Sequence, residues 1–328
     1  MEDRNAFRTK RRIGISPVIR SALVLFLFLD LIRTGAVFGQ SFKASLASAT
    51  LTKTSLRQWP RDLGLHEADL HPLSLNPLGC PVIEASISGR PLSLMFDTGT
   101  AQGFMITNSA PPVSYRLLGR GGELNADGSP RGESSRILVE RLSVLGEEFT
   151  NAEGSLADWK MFSSHPFSGT VGLEFFLTRR VTLDYRAGKV GVTASPLPEK
   201  LDARRYIGLD LVAPPRSQGH VLYVRARVNH RNAIIYLDTG TNVSFIDPQF
   251  SQDLERVERP GRFKVFRQSV PLVLGGQSFL LNDLREAPIS RGPGFDLPVA
   301  LTIGSDLLSQ FIMTIDLRAG RIVLALGD

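Results

Sequence analysis

Residues 84–100 (EASISGRPLSLMFDTGT) and residues 225–241 (RARVNHRNAIIYLDTGT) align over 17 positions without a gap and end in the same tetrapeptide. A second pair of similar segments follows downstream, at residues 183–190 (LDYRAGKV) and 315–322 (IDLRAGRI). Segments that recur in the same order in two halves of a chain indicate duplication. The sequence therefore predicts two copies of one structural unit.

A third landmark lies between the first two in each half. It is a glycine that follows apolar residues, Gly172 in the first half and Gly304 in the second. Each unit is expected to span roughly 120 residues, and the two are expected to join near residues 195–198. The predicted domains are therefore an N-terminal lobe at 77–198 and a C-terminal lobe at 199–328.

The secondary structure is expected to be almost entirely β. Apolar and polar residues alternate in residues 82–87 and 221–228, and Gly89 and Asn229-His230 are placed to form hairpin turns. One helix is predicted from Pro248 to Val257, because Asp247 can cap it and a proline at the first helical position is favourable. Residues 40–76 are interpreted as an N-terminal leader or tether, and for residues 40–75 an added edge strand is the alternative.

The first 39 residues resemble an export signal. Six basic residues lie within residues 1–20, a short apolar run begins at Ala22, and Val37 and Gly39 suit a cleavage site before Gln40. Eight to eleven apolar residues are fewer than the ~20 that a membrane-spanning helix needs. We expect residues 1–39 to be a signal peptide and the mature protein to be periplasmic or extracellular. An uncleaved signal that anchors the protein to a membrane remains the alternative.

The charge of the chain is concentrated in this segment. Residues 1–39 hold seven of the 38 basic and three of the 32 acidic residues, so the formal charge of +6 falls to about +2 without them. The rest of the chain shows no basic patch interleaved with aromatic residues, and no nucleic-acid partner is expected. A single cysteine excludes an intramolecular disulfide, and the five histidines lack metal-binding spacing, so neither metal nor cofactor is expected.

Each DTGT tetrapeptide follows an apolar strand, so Asp97 and Asp238 would emerge from a core. A buried carboxylate is costly unless hydrogen bonds compensate, and the following Thr and Gly supply hydroxyl and N–H donors. Pseudo-twofold symmetry would bring the two carboxyls together in a cleft between the lobes. Two adjacent carboxyls share one proton, so one could activate a water while the other protonates a substrate carbonyl.

On these residues the chain resembles the aspartic proteases of the pepsin–retropepsin group, over about residues 77–328. The resemblance implies an all-β, bilobal pepsin-like fold of two β-barrel-like lobes and an aspartic endopeptidase with Asp97 and Asp238 as its catalytic pair. It implies a monomer that needs no cofactor and binds an extended peptide or protein substrate. A membrane partner is expected only if the N-terminal segment is retained.

The resemblance also assigns supporting roles. Gly172 and Gly304 would complete a ψ-shaped motif beside the catalytic loops, which contain Gly99 and Gly240. Thr98 and Thr239 would exchange hydrogen bonds with the opposite lobe. Hydroxyls of Thr100 and Thr241 would bond the catalytic carboxylates, favour their ionised form and move the pH optimum towards acid.

The chain departs from the pepsin pattern in two places. Pepsins carry paired cysteines, whereas this chain has only Cys80, for which a small buried residue is the preferred interpretation. A flap tyrosine before a glycine is also missing, and Tyr115 is the nearest candidate. The first lobe has nine more residues than the second between its landmark glycines, and we assign them to residues 119–130, a glycine-rich hairpin tip that is either a lid over substrate or an ordinary surface loop.

Two other functions remain open from the sequence. One is a peptide-binding protein that keeps the fold with little turnover. The other is a membrane-tethered processing protease, which differs only in whether residues 1–39 remain attached.

Overall fold

The computed structural model describes residues 45–48, 53, 58–100, 103–108, 110–124, 130–157, 168–213, 220–257, 265–266, 268–289 and 294–327. The described residues all belong to one compact unit, residues 40–328. The expected export signal lies outside the described residues and stays a prediction. Within the described ranges, none of the helices has the length and apolar character that a membrane span requires.

The first half of the described chain consists of strands joined by short connections. Its elements are β1 (Ser45–Ser48), α1 (Trp59–Asp62), β2 (Leu70–Pro72), β3 (Ser74–Leu75), β4 (Pro81–Ile87), β5 (Arg90–Phe96), β6 (Phe104–Thr107), β7 (Arg116–Leu124), β8 (Pro130–Val144), β9 (Glu147–Ala157), β10 (Gly169–Val171), β11 (Arg180–Asp184) and β12 (Lys189–Thr193), with 3₁₀ turns at Glu67–Asp69 and Leu173–Phe176.

The second half repeats this pattern. Its elements are β13 (Tyr206–Asp210), β14 (Leu222–Val228), β15 (Arg231–Leu237), β16 (Phe245–Ile246), β17 (Arg256–Val257), β18 (Val265–Phe266), β19 (Val270–Leu274), β20 (Gln277–Asn282), β21 (Arg285–Glu286), β22 (Val299–Ile303), α2 (Ser305–Leu308), β23 (Phe311–Asp316) and β24 (Arg321–Leu326), with a 3₁₀ turn at Pro248–Phe250.

These strands form three sheets. The N-terminal lobe is an eight-stranded sheet in the order β3-β4-β5-β10-β6-β9-β8-β7, and the C-terminal lobe is a ten-stranded sheet in the order β1-β20-β19-β14-β15-β22-β16-β21-β18-β17. A six-stranded sheet, β13-β24-β23-β11-β12-β2, takes three strands from each half of the chain. We call it the connecting sheet.

The connecting sheet carries the signature of duplication. The sequence repeat pairs Thr182 with Thr314, and these two residues lie opposite each other where β11 meets β23, with their hydroxyl oxygens 3.0 Å apart. Only a residue on a pseudo-twofold axis can face its own counterpart in this way. This register is the one that a duplicated unit would produce.

The tight hairpins form where the sequence predicted them. Ser88 and Gly89 join β4 to β5 with φ of 49° and 81°, and Asn229 and His230 join β14 to β15 with φ of 45° and 65°. Two successive residues with positive φ form the turn whose twist matches a β-hairpin, and glycine and asparagine adopt it at little cost. These turns set the register of the strands that lead to each aspartate.

The predicted helix from Pro248 to Val257 is wrong. The structure has a single 3₁₀ turn at Pro248–Phe250, capped as expected by Asp247, whose carboxylate accepts from the Gln249 amide at 2.8 Å. The chain then turns away, because the Ser251 hydroxyl donates to the Glu286 carboxylate at 2.6 Å and β17 pairs with β18. Tertiary contacts override the local helix signals here.

Described residues before position 77 form strands that belong to the sheets. Strand β1 lies against β20 at the edge of the C-terminal lobe, so the edge strand considered for residues 40–75 is present at residues 45–48. Strands β2 and β3 pair with β12 and β4, which joins residues 70–75 to the lobe that the sequence placed at 77–198.

Helix α1 attaches the same segment to the connecting sheet. The Trp59 side chain is fully buried beside Tyr206, Ile312 and Val323, and its indole N–H donates to the Asp184 carboxylate at 2.8 Å. Burial of an aromatic side chain together with a satisfied polar atom is a strong anchor. The segment thus contacts strands that come from both halves of the chain.

Candidate active site

Asp97 lies directly after β5, at the base of a loop held by neighbouring strands. Strand β10 runs parallel to β5 and antiparallel to β6, and the Asp97 amide donates to the Val171 carbonyl at 3.0 Å. The strand pairing therefore fixes the position of the carboxyl from both sides.

Asp238 occupies the matching place in the C-terminal lobe. Strand β22 runs parallel to β15 and antiparallel to β16, and the Asp238 amide donates to the Ile303 carbonyl at 3.0 Å. Both halves of the chain thus present an aspartate in the same local geometry.

The two loops are interlocked by Thr98 and Thr239. Each backbone amide donates to the other threonine's hydroxyl, at 2.9 and 3.0 Å. The Thr98 hydroxyl donates to the Leu237 carbonyl at 2.9 Å, and the Thr239 hydroxyl donates to the Phe96 carbonyl at 2.6 Å. Both side chains are fully buried. The structure therefore makes the reciprocal contacts that the resemblance implied.

Glycine is required at positions 99 and 240 because each loop touches the opposite aspartate. A Cβ on Gly240 would lie 2.3 Å from Asp97 Cγ, and a Cβ on Gly99 would lie 2.8 Å from Asp238 Oδ1. No side chain fits at such distances. Each aspartate therefore lies against the loop that carries the other, close enough for the charge of Asp97 to raise the pKa of Asp238.

Gly172 and Gly304 lie beneath the loops for the same steric reason. A Cβ on Gly172 would lie 2.3 Å from the Thr100 carbonyl oxygen, and one on Gly304 would lie 2.7 Å from the Val243 carbonyl oxygen. The backbone at each of these positions can approach the neighbouring aspartate loop only without a side chain.

The hydrogen bonds to the two carboxyls differ. Asp97, with 9% of its surface exposed, accepts from the Gly99 amide at 2.7 Å and from the Thr100 hydroxyl at 2.8 Å. The Thr100 hydroxyl lies 3.0 Å from that of Thr170, so its orientation is held by a neighbour. Hydrogen bonds donated to a carboxylate favour its ionised form.

Asp238 accepts from the Gly240 amide at 2.9 Å, but not from the Thr241 hydroxyl, which points to the Val243 carbonyl at 3.5 Å. Burial of the carboxyl and, next, the charge of Asp97 raise the pKa of Asp238 to about 8, against the smaller opposing effect of the Gly240 and Thr241 amides. The expectation that both threonines bond their carboxylates is therefore wrong for Thr241. The raised pKa favours the protonated form of Asp238.

Sequence reasoning missed the polar support under the second loop. The Ser305 hydroxyl donates to the Thr239 carbonyl at 2.8 Å, and its amide donates to the Thr241 carbonyl at 2.7 Å. The Tyr185 hydroxyl lies 3.2 Å from the Ser305 hydroxyl. In the sequence repeat, Leu173 occupies the position of Ser305. A polar residue in one half where the other half has an apolar one is the signal that could have identified this serine.

Cys80 contacts the same loop. Its thiol lies 3.7 Å from the Gly240 carbonyl, and burial, followed by the charges of Asp238 and Asp97, raises the pKa of Cys80 to about 12. The thiol therefore stays protonated and is not a nucleophile. This agrees with the interpretation of Cys80 as a small buried residue.

The proposed flap is a long antiparallel hairpin of β7 and β8. Residues 125–129 at its tip lie outside the described residues. Tyr115 is 44% exposed and lies one residue before β7, at the foot of the hairpin. Within the described part of the chain, no cluster of His, Cys, Asp or Glu could hold a metal ion.

No protein-family model and no curated protein matches the chain. Among solved structures, the chain is similar to the crystal structure of an aspartic proteinase from Irpex lacteus, with a TM-score of 0.55 over 79% of this chain and 98% of that chain. Only 11% of the aligned residues are identical, so the similarity concerns the fold. The predicted fold class, all-β and bilobal like pepsin, is confirmed.

Proposed function

We propose that the protein is an aspartic-type endopeptidase in which Asp97 and Asp238 hydrolyse peptide bonds with an activated water. The observation that supports this most is the interlocking of Thr98 and Thr239, which holds the two aspartate loops face to face. Two carboxyls at such a distance cannot both ionise readily, which is the condition for paired acid and base catalysis. The fold shared with an aspartic proteinase adds support.

The asymmetry of the hydrogen bonds supports one assignment of roles. Ionised Asp97 takes a proton from a water, whose oxygen adds to the scissile carbonyl carbon, while Asp238 gives its proton to the carbonyl oxygen. The product of this step is a neutral gem-diol. As the C–N bond breaks, Asp97 returns its proton to the nitrogen and a gem-diol hydroxyl reprotonates Asp238. No covalent enzyme intermediate forms.

The substrate we propose is an extended peptide or an unfolded segment of a protein, paired with strand edges in the cleft. Both aspartates come from one chain, so a monomer suffices for activity. We further propose export of the mature protein, on the basis of residues 1–39 alone. Mass spectrometry of the purified protein from its native host should find an N-terminus at Gln40, and a retained Met1 would support the membrane-tethered alternative.

A peptide library tests the proposed activity. The protein should generate new termini at internal peptide bonds, and a peptide that contains statine, a mimic of the gem-diol, should inhibit it competitively. Binding of the statine peptide without any cleavage would favour the peptide-binding alternative. Absence of both would contradict the proposed function.

A further inference from the structure

We propose that Tyr236 is a third catalytic residue of this site, whose hydroxyl donates a hydrogen bond to the substrate carbonyl oxygen beside Asp238. The proposal rests on the proposed peptidase function. Tyr236 would supply a hydrogen-bond donor to the substrate, in addition to the two aspartates and the residues that support their loops.

The position of Tyr236 follows from strand geometry. It lies on β15 two residues before Asp238, and alternate residues of a strand face the same side. Its side chain is 5% exposed, and its ring stacks on that of Tyr223 with 5.0 Å between centroids. The ring of Phe295 packs on Tyr223 in turn, at 4.7 Å. The tyrosine ring is therefore held rigidly beside the aspartate.

The hydroxyl reaches the opposite loop. The position that a Cβ would take on Gly99 lies 2.7 Å from the Tyr236 hydroxyl oxygen and 2.8 Å from Asp238 Oδ1. The two oxygens are therefore no farther apart than these distances combined. A substrate oxygen placed between them can accept hydrogen bonds of ordinary length from both.

Within the described residues, the buried side-chain polar atom that lacks a partner belongs to Arg180, so the Tyr236 hydroxyl is not an unsatisfied buried group. Burial and then the charges of Asp238 and Asp97 raise the pKa of Tyr236 well above its ordinary value, so the hydroxyl keeps its proton and can donate. We infer that the carbonyl oxygen of a bound substrate accepts from it.

The matching position in the other lobe carries no hydroxyl. The sequence repeat places Met95 opposite Tyr236, and the Met95 thioether accepts from the Asn76 amide at 3.9 Å. At this strand position a hydroxyl therefore lies on the side of Asp238, the carboxyl proposed to carry the proton, and a thioether on the side of Asp97. When Asp238 protonates the carbonyl oxygen as water adds to the carbon, Tyr236 stabilises that oxygen and keeps its own proton.

The test compares two tyrosine variants with the wild type on one cleaved peptide. Tyr236→Phe removes only the hydroxyl, and we expect kcat to fall by about 10²-fold with little change in KM. Tyr206→Phe is the matched control. The Tyr206 hydroxyl, on β13 of the connecting sheet, donates to the Asp62 carboxylate at 3.0 Å, so this variant should keep the wild-type kcat. Tyr236→Met, which copies the residue in the other lobe, should match Tyr236→Phe.

Thermal melting shows whether each variant folds. A folded Tyr236→Phe with kcat within about threefold of an active wild type would overturn the role of Tyr236 and leave the proposed function intact. A rise in KM with unchanged kcat would also overturn it, because it would show a residue that binds substrate and transition state equally. A wild type that cleaves no peptide would overturn both proposals.

Discussion

At the scale of single residues, the two aspartates differ in the donors that face them. Asp97 accepts from the Thr100 hydroxyl at 2.8 Å, whereas the Thr241 hydroxyl turns to a backbone carbonyl. The sequence presents the same tetrapeptide twice and so predicts equal environments. The difference arises because the loop after Thr241 offers the Val243 carbonyl as an acceptor, which the local sequence does not reveal.

Replacement of Thr100 tests this difference. Thr100→Val removes the hydroxyl that donates to Asp97, the carboxyl proposed as the base, so kcat/KM should fall about 10-fold. Thr100→Ser keeps the hydroxyl and should restore the wild-type kcat/KM. Thr241→Val should leave kcat/KM nearly unchanged, and equal losses in the two valine variants would contradict the asymmetry.

The raised pKa of Asp238 predicts how the wild-type rate depends on pH. Asp238 must hold its proton to act as the acid, and its pKa of about 8 keeps that proton through neutrality. On the alkaline side, the rate should therefore fall as pH rises through about 8. A rate that is already lost at mildly acidic pH would show that Asp238 gives up its proton too early and would contradict this assignment.

The same pKa shift predicts an effect on stability. An aspartate whose pKa is raised on folding contributes stability below its unfolded pKa, and that contribution is lost as pH rises towards the folded pKa. The melting temperature of the wild type should fall from mildly acidic pH towards about 8. Asp238→Asn removes this titration and should melt at least ~3 °C higher at neutral pH. A parallel pH dependence in wild type and variant would contradict the shift.

At the scale of elements, the site depends on loops held by backbone contacts. The repeated tetrapeptides, the two landmark glycines and the hairpin turns at Gly89 and Asn229 could be predicted, because each needs a residue type that the local geometry demands. The helix expected at Pro248 could not, since the Glu286 carboxylate that binds Ser251 lies far along the chain.

The exchange of hydrogen bonds between the loops should stabilise the whole fold. Thr98→Val removes a buried donor to the Leu237 carbonyl and a buried acceptor for the Thr239 amide, and should lower the free energy of unfolding by about 2–4 kcal/mol. Thr98→Ser retains both bonds and should lose much less. Urea denaturation measures both variants, and equal losses would show that packing of the methyl group matters more.

The close approach beneath the first loop makes a steric prediction. Gly172→Ala would place a Cβ 2.3 Å from the Thr100 carbonyl oxygen, so the backbone must move and kcat should fall more than ~10-fold. Gly327→Ala is a control, because its Cβ would meet nothing closer than 3.6 Å. Wild-type rates in Gly172→Ala would show that the loop accommodates the added atom.

At the scale of the whole molecule, the chain before residue 77 joins the two halves. The sequence gives no periodic signal for residues 40–75, yet Trp59 is fully buried against the connecting sheet. Its partners Tyr206, Ile312 and Val323 lie 147 or more positions away in the sequence, so no local pattern could identify the contact. Packing between residues so far apart in the sequence is the part of the fold that could not be predicted.

This packing predicts a structural role for the segment. Trp59→Ala should lower the free energy of unfolding by about 3–5 kcal/mol through the cavity and the lost bond to Asp184. Trp59→Phe keeps most of the packing and should cost less. Calorimetry measures the stability of both variants. If the segment were a leader that the fold does not need, Trp59→Ala would melt at the same temperature as the wild type.

The decisive measurement for a catalytic aspartate pair is the rate at which the wild type, Asp97→Asn and Asp238→Asn cleave one library-derived peptide. We expect each asparagine variant to fold, to bind the statine peptide and to lose at least ~10³-fold in kcat/KM, because a lone carboxyl cannot supply both base and acid. Cleavage of the peptide by either variant at the wild-type rate would contradict an aspartate pair as the catalytic centre.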